Sequence, residues 1–303
     1  MNVLSLFDGL SCAQIALIES GIKFDKYYAS EIDKFAIAQT KLNFPETIQL
    51  GDVTNWENWD IDFASIDLIM AGSPCQGFSF AGKQLAFDDP RSKLFFVFVD
   101  ILNYCKKLNP NVKFLLENVD MKRSHMAVIS QYCGVFPVNI NSNLVSAQNR
   151  NRWYWSNIRT KKVGLFEEIH TDIPQPEDKG ILLRDVLENN VEEKYYLTTK
   201  ALEYLRRAKE ERTENVKYCT GIDKSSTITC NYRRGVHNGG EPYIKISPKG
   251  HIRRLTPIEC SRLQTIPDWY KWDCSDSQVY KMCGNGWTVD VIAHILSFFK
   301  TNK

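Results

Sequence analysis

The sequence predicts an α/β fold built on a largely parallel sheet. Short apolar runs alternate with segments of helical character through residues 1–120, a pattern typical of repeated strand–helix–strand units. A polar or reactive side chain follows five of these runs in succession. With 303 residues, 43% of them hydrophobic and 24% charged, the chain is long enough for one large domain or two modest ones.

Five strands are predicted from apolar runs that end at turn residues or carboxylates. They are Asn2–Phe7, Lys26–Ser30, Ile48–Leu50, Ile66–Met70 and Val112–Leu116. Helices are predicted between them at Ala13–Ile18, from Asp33 to Leu42, and at Leu94–Leu108. Asp33 is placed to cap the second of these helices.

The pattern changes from about residue 160 to residue 273, where the alternation of strand and helix stops. Ile173-Pro174-Gln175-Pro176 is typical of a linker. Helical character returns at Ile181–Leu187 and Thr198–Lys209, and a last helix is predicted at Trp287–Phe299. The sequence therefore predicts a second, differently built region between the linker and the last helix.

The residues that follow the five strands predict a ligand site, because ligands bind beyond the carboxyl ends of parallel strands. They are Asp8, Glu31, Asp52, Cys75 and Glu117. The first turn has only Gly9 of the Gly-x-Gly-x-x-Gly pattern that lets a pyrophosphate approach the backbone. Glu31 is spaced to accept a ribose hydroxyl, and Asp52 has a carboxylate that can accept from an adenine amino group. A ribose–adenine ligand without pyrophosphate and a doubly wound sheet that binds another ligand fit these residues equally well.

Cys75 stands just beyond the fourth strand, after the break Gly72-Ser73-Pro74. A cysteine held on a loop at a strand end is well placed to be a nucleophile, and the alternative is a turn that happens to contain a cysteine. The chain has 9 cysteines with no Cys-x-x-Cys spacing and no neighbouring histidine cluster. This pattern argues against a metal site and a disulfide framework and favours a reduced, cytoplasmic setting.

The net charge and the hydropathy of the chain limit which partners and cellular locations are expected. The net charge of +2 is too small to indicate a nucleic-acid partner by itself. The N-terminus is expected to be a first strand rather than a signal peptide, because it has no basic leader and Asp8 interrupts its apolar residues. No uncharged apolar stretch is long enough to cross a bilayer, so no membrane association is expected.

An ordered set of motifs resembles the DNA (cytosine-5) methyltransferase family over nearly the whole chain. The motifs are Phe7-Asp8-Gly9, Glu31, Asp52, Pro74-Cys75-Gln76, Asp89-Pro90-Arg91, Glu117-Asn118-Val119, Gln148-Asn149-Arg150-Asn151-Arg152, the run from Arg254 to Cys260, and Gly284-Asn285-Gly286. The resemblance implies a mixed, Rossmann-like sheet of the S-adenosylmethionine-dependent methyltransferase type, with helices on both faces. It also implies a catalytic and cofactor-binding domain of residues 1–170, completed by 274–303, and a small strand-rich target-recognition domain of residues 171–273.

The resemblance implies catalytic roles for five residues: Cys75, Gln76, Glu117, Arg150 and Arg152. A thiolate at Cys75 would add to carbon 6 of cytosine and make carbon 5 nucleophilic. Glu117, if protonated or sharing a proton with the base, would stabilise ring nitrogen 3 and hold the exocyclic amine. Arg152 would help to hold the base, whereas Arg150 would order the site or contact phosphate.

The resemblance also implies how S-adenosylmethionine is held, with no metal. Phe7 and Ile32 would pack near the adenosine, while Glu31 would bind the ribose and Asp52 the adenine. The remaining predicted cofactor residues are Asp8, Gly9, Pro74 and Asn285. Gly286 stands where the family usually has serine.

DNA-binding residues are expected in two stretches. The segment Phe78–Arg91 resembles the family's mobile catalytic loop, in which Ser79, Lys83, Gln84 and Arg91 would meet DNA. In the later stretch, the segment 225–235 combines strand-forming, hydroxyl and basic residues and resembles the recognition element. Its candidates are Thr227, Asn231, Arg233 and Arg234. Arginine can pair with guanine and asparagine with adenine, but phosphate contacts are the alternative for each.

The predicted activity is transfer of a methyl group to a flipped-out cytosine in duplex DNA by a monomer of a bacterial or phage restriction-modification system. A cognate restriction endonuclease would act separately. A transfer-RNA methyltransferase is the first alternative, and a non-catalytic DNA-binding relative is the second. The presence of Cys75, Glu117 and Arg152 together argues against the second.

Overall fold

The fold is described from a computed structural model, over residues 1–73, 93–212, 217–234, 242–246 and 251–299. For 208–212, 217, 233 and 246 the description covers the backbone alone. The chain divides into two compact units. The first comprises 1–140, 151–175 and 291–303, and the second comprises 141–150 and 176–290. The second unit includes residues outside the range expected for target recognition, whose assignment stays a prediction.

The first unit is organised on a seven-stranded sheet of order β3-β2-β1-β4-β5-β7-β6. Its strands are β1 (Asn2–Leu6), β2 (Lys26–Ser30), β3 (Ile48–Gln49), β4 (Ile66–Ala71), β5 (Lys113–Val119), β6 (Val138–Asn141) and β7 (Asn151–Ser156). The first five strands pair in parallel, and β7 runs antiparallel to β5. The α/β class and the mixed sheet are therefore confirmed.

In the described residues, four helices are interleaved with these strands: α1 (Cys12–Glu19), α2 (Lys34–Asn43), α3 (Lys93–Leu108) and α4 (Arg123–Cys133). The first three match the helices predicted from the sequence, whereas α4 was not predicted. Asp33 caps α2 by accepting a bond from the backbone nitrogen of Phe35 at 2.9 Å. The apolar face of α3 is buried with the central strands β4 and β5 in one hydrophobic core. This packing fixes the carboxyl ends of β4 and β5.

β5 is longer than the sequence predicts. Its expected end was Leu116, before Glu117, but the strand continues to Val119. The reason is pairing with β7, in which Glu117 lies opposite Tyr154 and Val119 opposite Arg152. Backbone bonding to an antiparallel neighbour overrides the local signal that a polar pair gives.

The remaining elements of the chain are shorter and less regular. The strands are β8 (Thr160–Val163) and β9 (Glu168–Thr171), which form a hairpin in the first unit, and β10 (Lys217–Cys219), β11 (Pro242–Ile246) and β12 (His251–Arg253), which form a small sheet in the second. The helices are α5 (Thr199–Arg212), α6 (Pro257–Leu263), α7 (Asp276–Asn285) and α8 (Val289–Leu296). No helix in the described ranges is long and apolar enough to cross a membrane.

One expectation for the second unit is wrong. The predicted helix at Ile181–Leu187 is only a 3-10 turn at Leu183–Asp185. Segment 225–235, although rich in strand-forming residues, forms no ladder strand in the part that is described, and Cys230–Arg234 is a 3-10 helix. The backbone of this segment bonds to the side chains of Gln148 and Arg150 and forms an isolated bridge between Ser225 and Gln148. Its β-branched composition therefore does not decide its conformation.

Candidate active site

The carboxyl ends of β1 and β2 are joined through Glu31. One carboxylate oxygen of Glu31 accepts from the backbone nitrogen of Gly9 at 2.8 Å. The other accepts from the backbone nitrogens of Ile32 and Asp33, each at 2.8 Å. Three backbone donors thus fix this carboxylate at the sheet edge, as its predicted role requires.

The turn after β1 is unusually rich in left-handed backbone. Phe7, Gly9 and Ser11 have φ values of 58°, 60° and 64°. A bulky residue such as Phe7 seldom adopts this conformation, and such strain is often found at functional sites. Next to this turn, the apolar side chain of Ile32 is 73% exposed. An exposed apolar group beside a fixed carboxylate provides a surface for a ring and an acceptor for a hydroxyl.

The Asp8 carboxylate is bonded within the protein, and its predicted cofactor role stays a prediction. Its side chain is buried and accepts hydrogen bonds from the hydroxyls of Ser11 and of Tyr27, the latter at 2.6 Å. Burial raises the pKa of Asp8 to about 6, against the opposing effect of these bonds. The carboxylate points inward and orders the turn, because Ser11 can hold its left-handed conformation while bonded to it.

The raised pKa predicts a pH dependence that Asp8→Asn removes. The folded protein binds this proton more tightly than the unfolded chain, so its stabilising effect is present below pH 4 and is lost as the pH rises through 6. Relative to wild type, Asp8→Asn should therefore gain about 2 kcal/mol in the free energy of unfolding between pH 4.5 and 7.5. Urea unfolding of both proteins at several pH values measures this, and a constant difference would contradict the assignment.

Asp52 lies at the start of the segment that follows β3. One of its oxygens, Oδ1, accepts from the backbone nitrogen and the hydroxyl of Thr54, at 2.9 and 2.8 Å. The neighbouring Gly51 carbonyl accepts from the Ser30 hydroxyl at 2.8 Å, which ties the ends of β2 and β3 together. The sheet therefore brings the edge positions of Gly9, Glu31 and Asp52 to neighbouring strand ends.

Glu117 and Arg152 form an ion pair across β5 and β7, with Nε of Arg152 2.9 Å from Oε1 of Glu117. Their positions in the ladder are diagonal, so the two side chains share one face of the sheet. Both side chains are almost buried, at 11% and 13% exposure. The pair places an acidic group and a cation side by side at the carboxyl end of β5.

The end of β5 also contacts the chain just before Cys75. The side-chain amide of Asn118 donates to the hydroxyl of Ser73 at 3.4 Å, and its carbonyl oxygen accepts from the backbone nitrogen of Val119 at 2.9 Å. Ser73 and Asn118 are both buried. Seven predicted site residues lie beyond this point, outside the described residues: Pro74, Cys75, Gln76, Ser79, Lys83, Gln84 and Arg91.

Arg150 is a structural hub of the second unit, not a surface cation. It is buried, and its guanidinium donates to the carbonyl oxygens of Ile228 at 3.2 Å, Gly284 at 3.2 Å and Gly286 at 2.8 Å. These contacts support the ordering of the site, one of its two predicted roles, and a phosphate contact stays a prediction. Asn285, between the two glycines, is exposed at the end of α7, and its cofactor role stays a prediction.

The predicted DNA-binding residues of the second unit differ in exposure. Asn231 and Arg234 are exposed, whereas Thr227 is partly buried and its hydroxyl donates to the carbonyl of Asn149 at 2.6 Å. Arg233 lies in the 3-10 helix.

Four residues that matter here were missed from the sequence: Ser11, Tyr27, Gln148 and Gly284. Ser11 and Tyr27 are ordinary residues of a turn and a strand, and only their contact with Asp8 reveals them. Gln148 and Gly284 belong to motifs that carry the family resemblance, but the sequence predicts no catalytic or binding role for either residue. A glycine in a helical pattern was the one available signal, since it often marks a close approach of backbone.

Comparison with known proteins assigns the family. A model described as C-5 cytosine-specific DNA methylase matches residues 1–300. The type II methyltransferase M1.ScrFI of Lactococcus lactis subsp. cremoris is 30% identical over 308 residues, covering 96% of this chain and 76% of that protein. The type II methyltransferase M.HpaII of Haemophilus parainfluenzae is 30% identical over 322 residues, covering 95% and 86%.

Solved structures agree on the fold. The methyltransferase EhMeth of Entamoeba histolytica superposes with a TM-score of 0.73 at 18% identity, covering 99% of this chain and 97% of that one. A DNMT2 variant of Spodoptera frugiperda gives 0.70 at 23% identity, covering 98% and 99%. At these identities the likeness establishes architecture alone. Together with the full-length family match, it leads to one conclusion: the chain belongs to the C-5 cytosine-specific DNA methylases, as its motifs predict, and is a DNA cytosine-5 methyltransferase.

Proposed function

We propose that this methyltransferase modifies a flipped-out cytosine in a specific duplex DNA sequence through a covalent adduct with Cys75. The observation that carries the proposal is the Glu117–Arg152 pair at the carboxyl end of β5. Asn118, next to Glu117, bonds Ser73, two residues before Cys75 in the chain. An acid–cation pair and a cysteine that follow neighbouring strands supply the groups that this chemistry needs.

The reaction begins with the addition of a thiolate. The Cys75 sulfur attacks carbon 6 of cytosine, the 5,6 double bond opens, and carbon 5 becomes nucleophilic. Glu117 holds the exocyclic amine and, when it carries a proton, donates to ring nitrogen 3 as charge accumulates on the ring. Arg152 holds Glu117 and the base. A base removes the proton from carbon 5 after methyl transfer, and the sulfur–carbon bond breaks to restore the aromatic ring and free Cys75.

Family membership implies S-adenosylmethionine, which supplies the methyl group when it is bound. The chemistry of the residues at the ends of β1–β3 supports this donor. Glu31 presents a fixed carboxylate suited to a ribose hydroxyl, and Ile32 presents an exposed apolar side chain suited to adenine. Asp52 keeps Oδ2 for an amino group, since its two bonds to Thr54 both use Oδ1.

A duplex hides carbon 5 of cytosine from the nucleophile, so the target base must leave the stack. Catalytic residues at a sheet edge and exposed polar residues on a second unit, such as Asn231 and Arg234, suit an enzyme that holds DNA while one base is extruded. The type II relatives support a role in a restriction-modification system, with an endonuclease that acts separately.

Replacing Cys75 with alanine is expected to abolish methylation, because the thiolate has no substitute. Wild type and Cys75→Ala are incubated with tritiated S-adenosylmethionine and either duplex DNA or transfer RNA. Label should enter DNA with wild type only. Cys274→Ala is the matched control and should leave the rate unchanged. Cys274 is a partly buried cysteine that belongs to none of the motifs shared with the family.

The covalent step has its own measurement. Duplexes that contain 5-fluorocytosine should form a stable wild-type adduct by mass spectrometry, because fluorine cannot leave carbon 5 as the proton does. Label in DNA with Cys75→Ala would contradict the nucleophile. Label only in transfer RNA would keep the chemistry and replace the substrate, and no label in either would favour a non-catalytic relative.

A further inference from the structure

Two buried side chains bond the backbone of a single residue, Ile228, in the second unit. The backbone nitrogen of Ile228 donates to Oε1 of Gln148 at 2.8 Å. The carbonyl oxygen of Ile228 accepts from Nη1 of Arg150 at 3.2 Å. Gln148 is fully buried and Arg150 is 3% exposed. Side chains two residues apart thus satisfy both polar groups of one residue that forms no strand ladder.

The backbone around Ile228 is fastened to the same stretch. The nitrogen of Ser225 donates to the carbonyl of Ala147 at 2.7 Å, and its carbonyl accepts from the nitrogen of Asn149 at 2.8 Å. The hydroxyl of Thr227 donates to the carbonyl of Asn149 at 2.6 Å. Residues 225–228 therefore lie along residues 147–150, and we call this arrangement the clamp.

A glycine completes the clamp on another side. A Cβ atom added to Gly284 would stand 2.3 Å from the backbone nitrogen of Cys230 and from the carbonyl carbon of Thr229. No side chain fits in that space, so Gly284 lets the end of α7 touch the backbone of 229–230. Arg150 bonds the carbonyls of both Gly284 and Ile228, so it is attached to the end of α7 and to the segment that the end of α7 touches.

The clamp separates buried anchors from exposed polar groups. Ile228 and Tyr232 are about 1% exposed, whereas Thr229, Asn231 and Arg234 are exposed. Tyr232 is itself held, because its hydroxyl donates to the carbonyl of Pro242 at 3.0 Å and accepts from the nitrogen of Leu255 at 2.7 Å. With both anchors fixed, the exposed side chains between and beyond them have a defined backbone.

We propose that Arg150, together with Gln148, is a positioning residue that sets DNA sequence preference by fixing the segment 225–234. The proposal rests on the proposed function, in which this segment faces DNA. Groups that read base edges discriminate only when they are held to the right position, and each well-placed pair contributes about 10-fold to 100-fold to discrimination. Arg150 acts through the backbone of Ile228 and does not itself touch a base.

The test uses full-length Arg150→Lys and Gln148→Met. The lysine replaces the forked guanidinium that bonds three carbonyls with a single ammonium, and the methionine removes the acceptor of the Ile228 amide. Each is given duplexes with randomised bases around a cytosine, and 5-methylcytosine is read by bisulfite sequencing. Discrimination between the best site and its single-base neighbours should fall by about 10-fold to 100-fold. The KM for DNA should rise, with a smaller change in kcat on the best site.

Tyr195→Phe is the matched control. Tyr195 is buried in the same unit and its hydroxyl donates to Asp276 at 2.8 Å, away from residues 147–150 and 225–228. It should lower the melting temperature without changing site preference. Hydrogen exchange provides a readout that needs no activity: the Ile228 amide should exchange faster in Arg150→Lys and Gln148→Met, and at the wild-type rate in Tyr195→Phe.

Three outcomes would overturn the proposal. One is a fall in kcat with unchanged site preference in Arg150→Lys, which would mean that Arg150 acts at the reacting base. Another is equal loss of preference in Tyr195→Phe, which would make the effect one of general stability. The third is an Ile228 amide that exchanges at the wild-type rate in both Arg150→Lys and Gln148→Met. If wild type itself labels no DNA, the proposed function fails first, and the exchange result still reports on the clamp.

Discussion

Glu259→Gln is expected to lower the free energy of unfolding by about 3–5 kcal/mol, the cost of breaking a buried ion pair from one side. Arg253 and Glu259 are 1% and 0% exposed in side-chain area and meet in two parallel bonds of 2.7 Å. The carboxylate also accepts from the backbone nitrogens of Thr256 at 2.9 Å and Glu188 at 2.8 Å. Glutamine would turn an amide donor toward these donors and leave the guanidinium charge without a counterion.

The position of this pair explains why its loss should unfold more than one element. Arg253 is the last residue of β12, and Glu259 lies in the first turn of α6, where it forms a capping box with Thr256. Breaking the pair would therefore release the small sheet from the helix and remove a helix cap at the same time. Urea denaturation followed by circular dichroism measures the expected fall.

Two comparisons isolate burial as the cause. Asp268→Asn breaks the pair between Arg262 and Asp268, whose side chains are 31% and 66% exposed, and it should cost under about 1 kcal/mol. Replacing both buried partners, as Arg253→Met with Glu259→Leu, should recover only part of the loss, because no unpaired charge remains but the backbone nitrogens of Thr256 and Glu188 lose their acceptor. Equal effects of Glu259→Gln and Asp268→Asn would refute the argument.

The sequence predicts the first unit well because its signals are local. The runs that became β1, β2 and β4 are almost wholly buried, and Asp33 caps α2 with the atom that its residue type predicts. Such features depend on hydrophobic burial and on bonds within a few residues of the chain. The edge positions of Glu31, Asp52 and Glu117 follow from the same pattern, apart from the extra length of β5.

The second unit is harder to predict because distant partners decide its conformation. Segment 225–234 has the composition of a strand, yet Gln148, Arg150 and Gly284 hold it from positions 54 or more residues away in the chain. Likewise, the inward orientation of Asp8 depends on Tyr27, in the next strand. A single sequence gives residue types at these positions but not their contacts, so a motif residue such as Arg150 is easily assigned to chemistry when it serves structure.

Glu117→Gln is expected to lower kcat by about 10²-fold to 10⁴-fold, the range for removal of a general acid or base. The amide keeps the size of the side chain and can still face the exocyclic amine of cytosine. It cannot deliver a proton to ring nitrogen 3 as the Cys75 thiolate adds. Single-turnover methylation of saturating duplex DNA measures the effect, because it separates the chemical step from product release.

Asp120→Asn is the matched control for this prediction. Asp120 directly follows β5, is exposed, and accepts from the indole nitrogen of Trp153 at 3.0 Å. An asparagine there keeps the acceptor, so the rate should change little. Since Arg152 loses its charged partner in Glu117→Gln, that variant should also be less stable, and its fraction folded must be measured before the rates are compared.

The two functions proposed for Glu117, holding Arg152 and moving a proton, predict different methylation rates in two variants. If it serves only to hold Arg152, Glu117→Gln and a variant that removes the cation, Arg152→Met, should lower the rate equally. If it also moves a proton, Glu117→Gln should lower the single-turnover rate more than Arg152→Met does, because the amide cannot supply that proton. Equal rates in the two variants would reduce its part to positioning and leave proton transfer to another group.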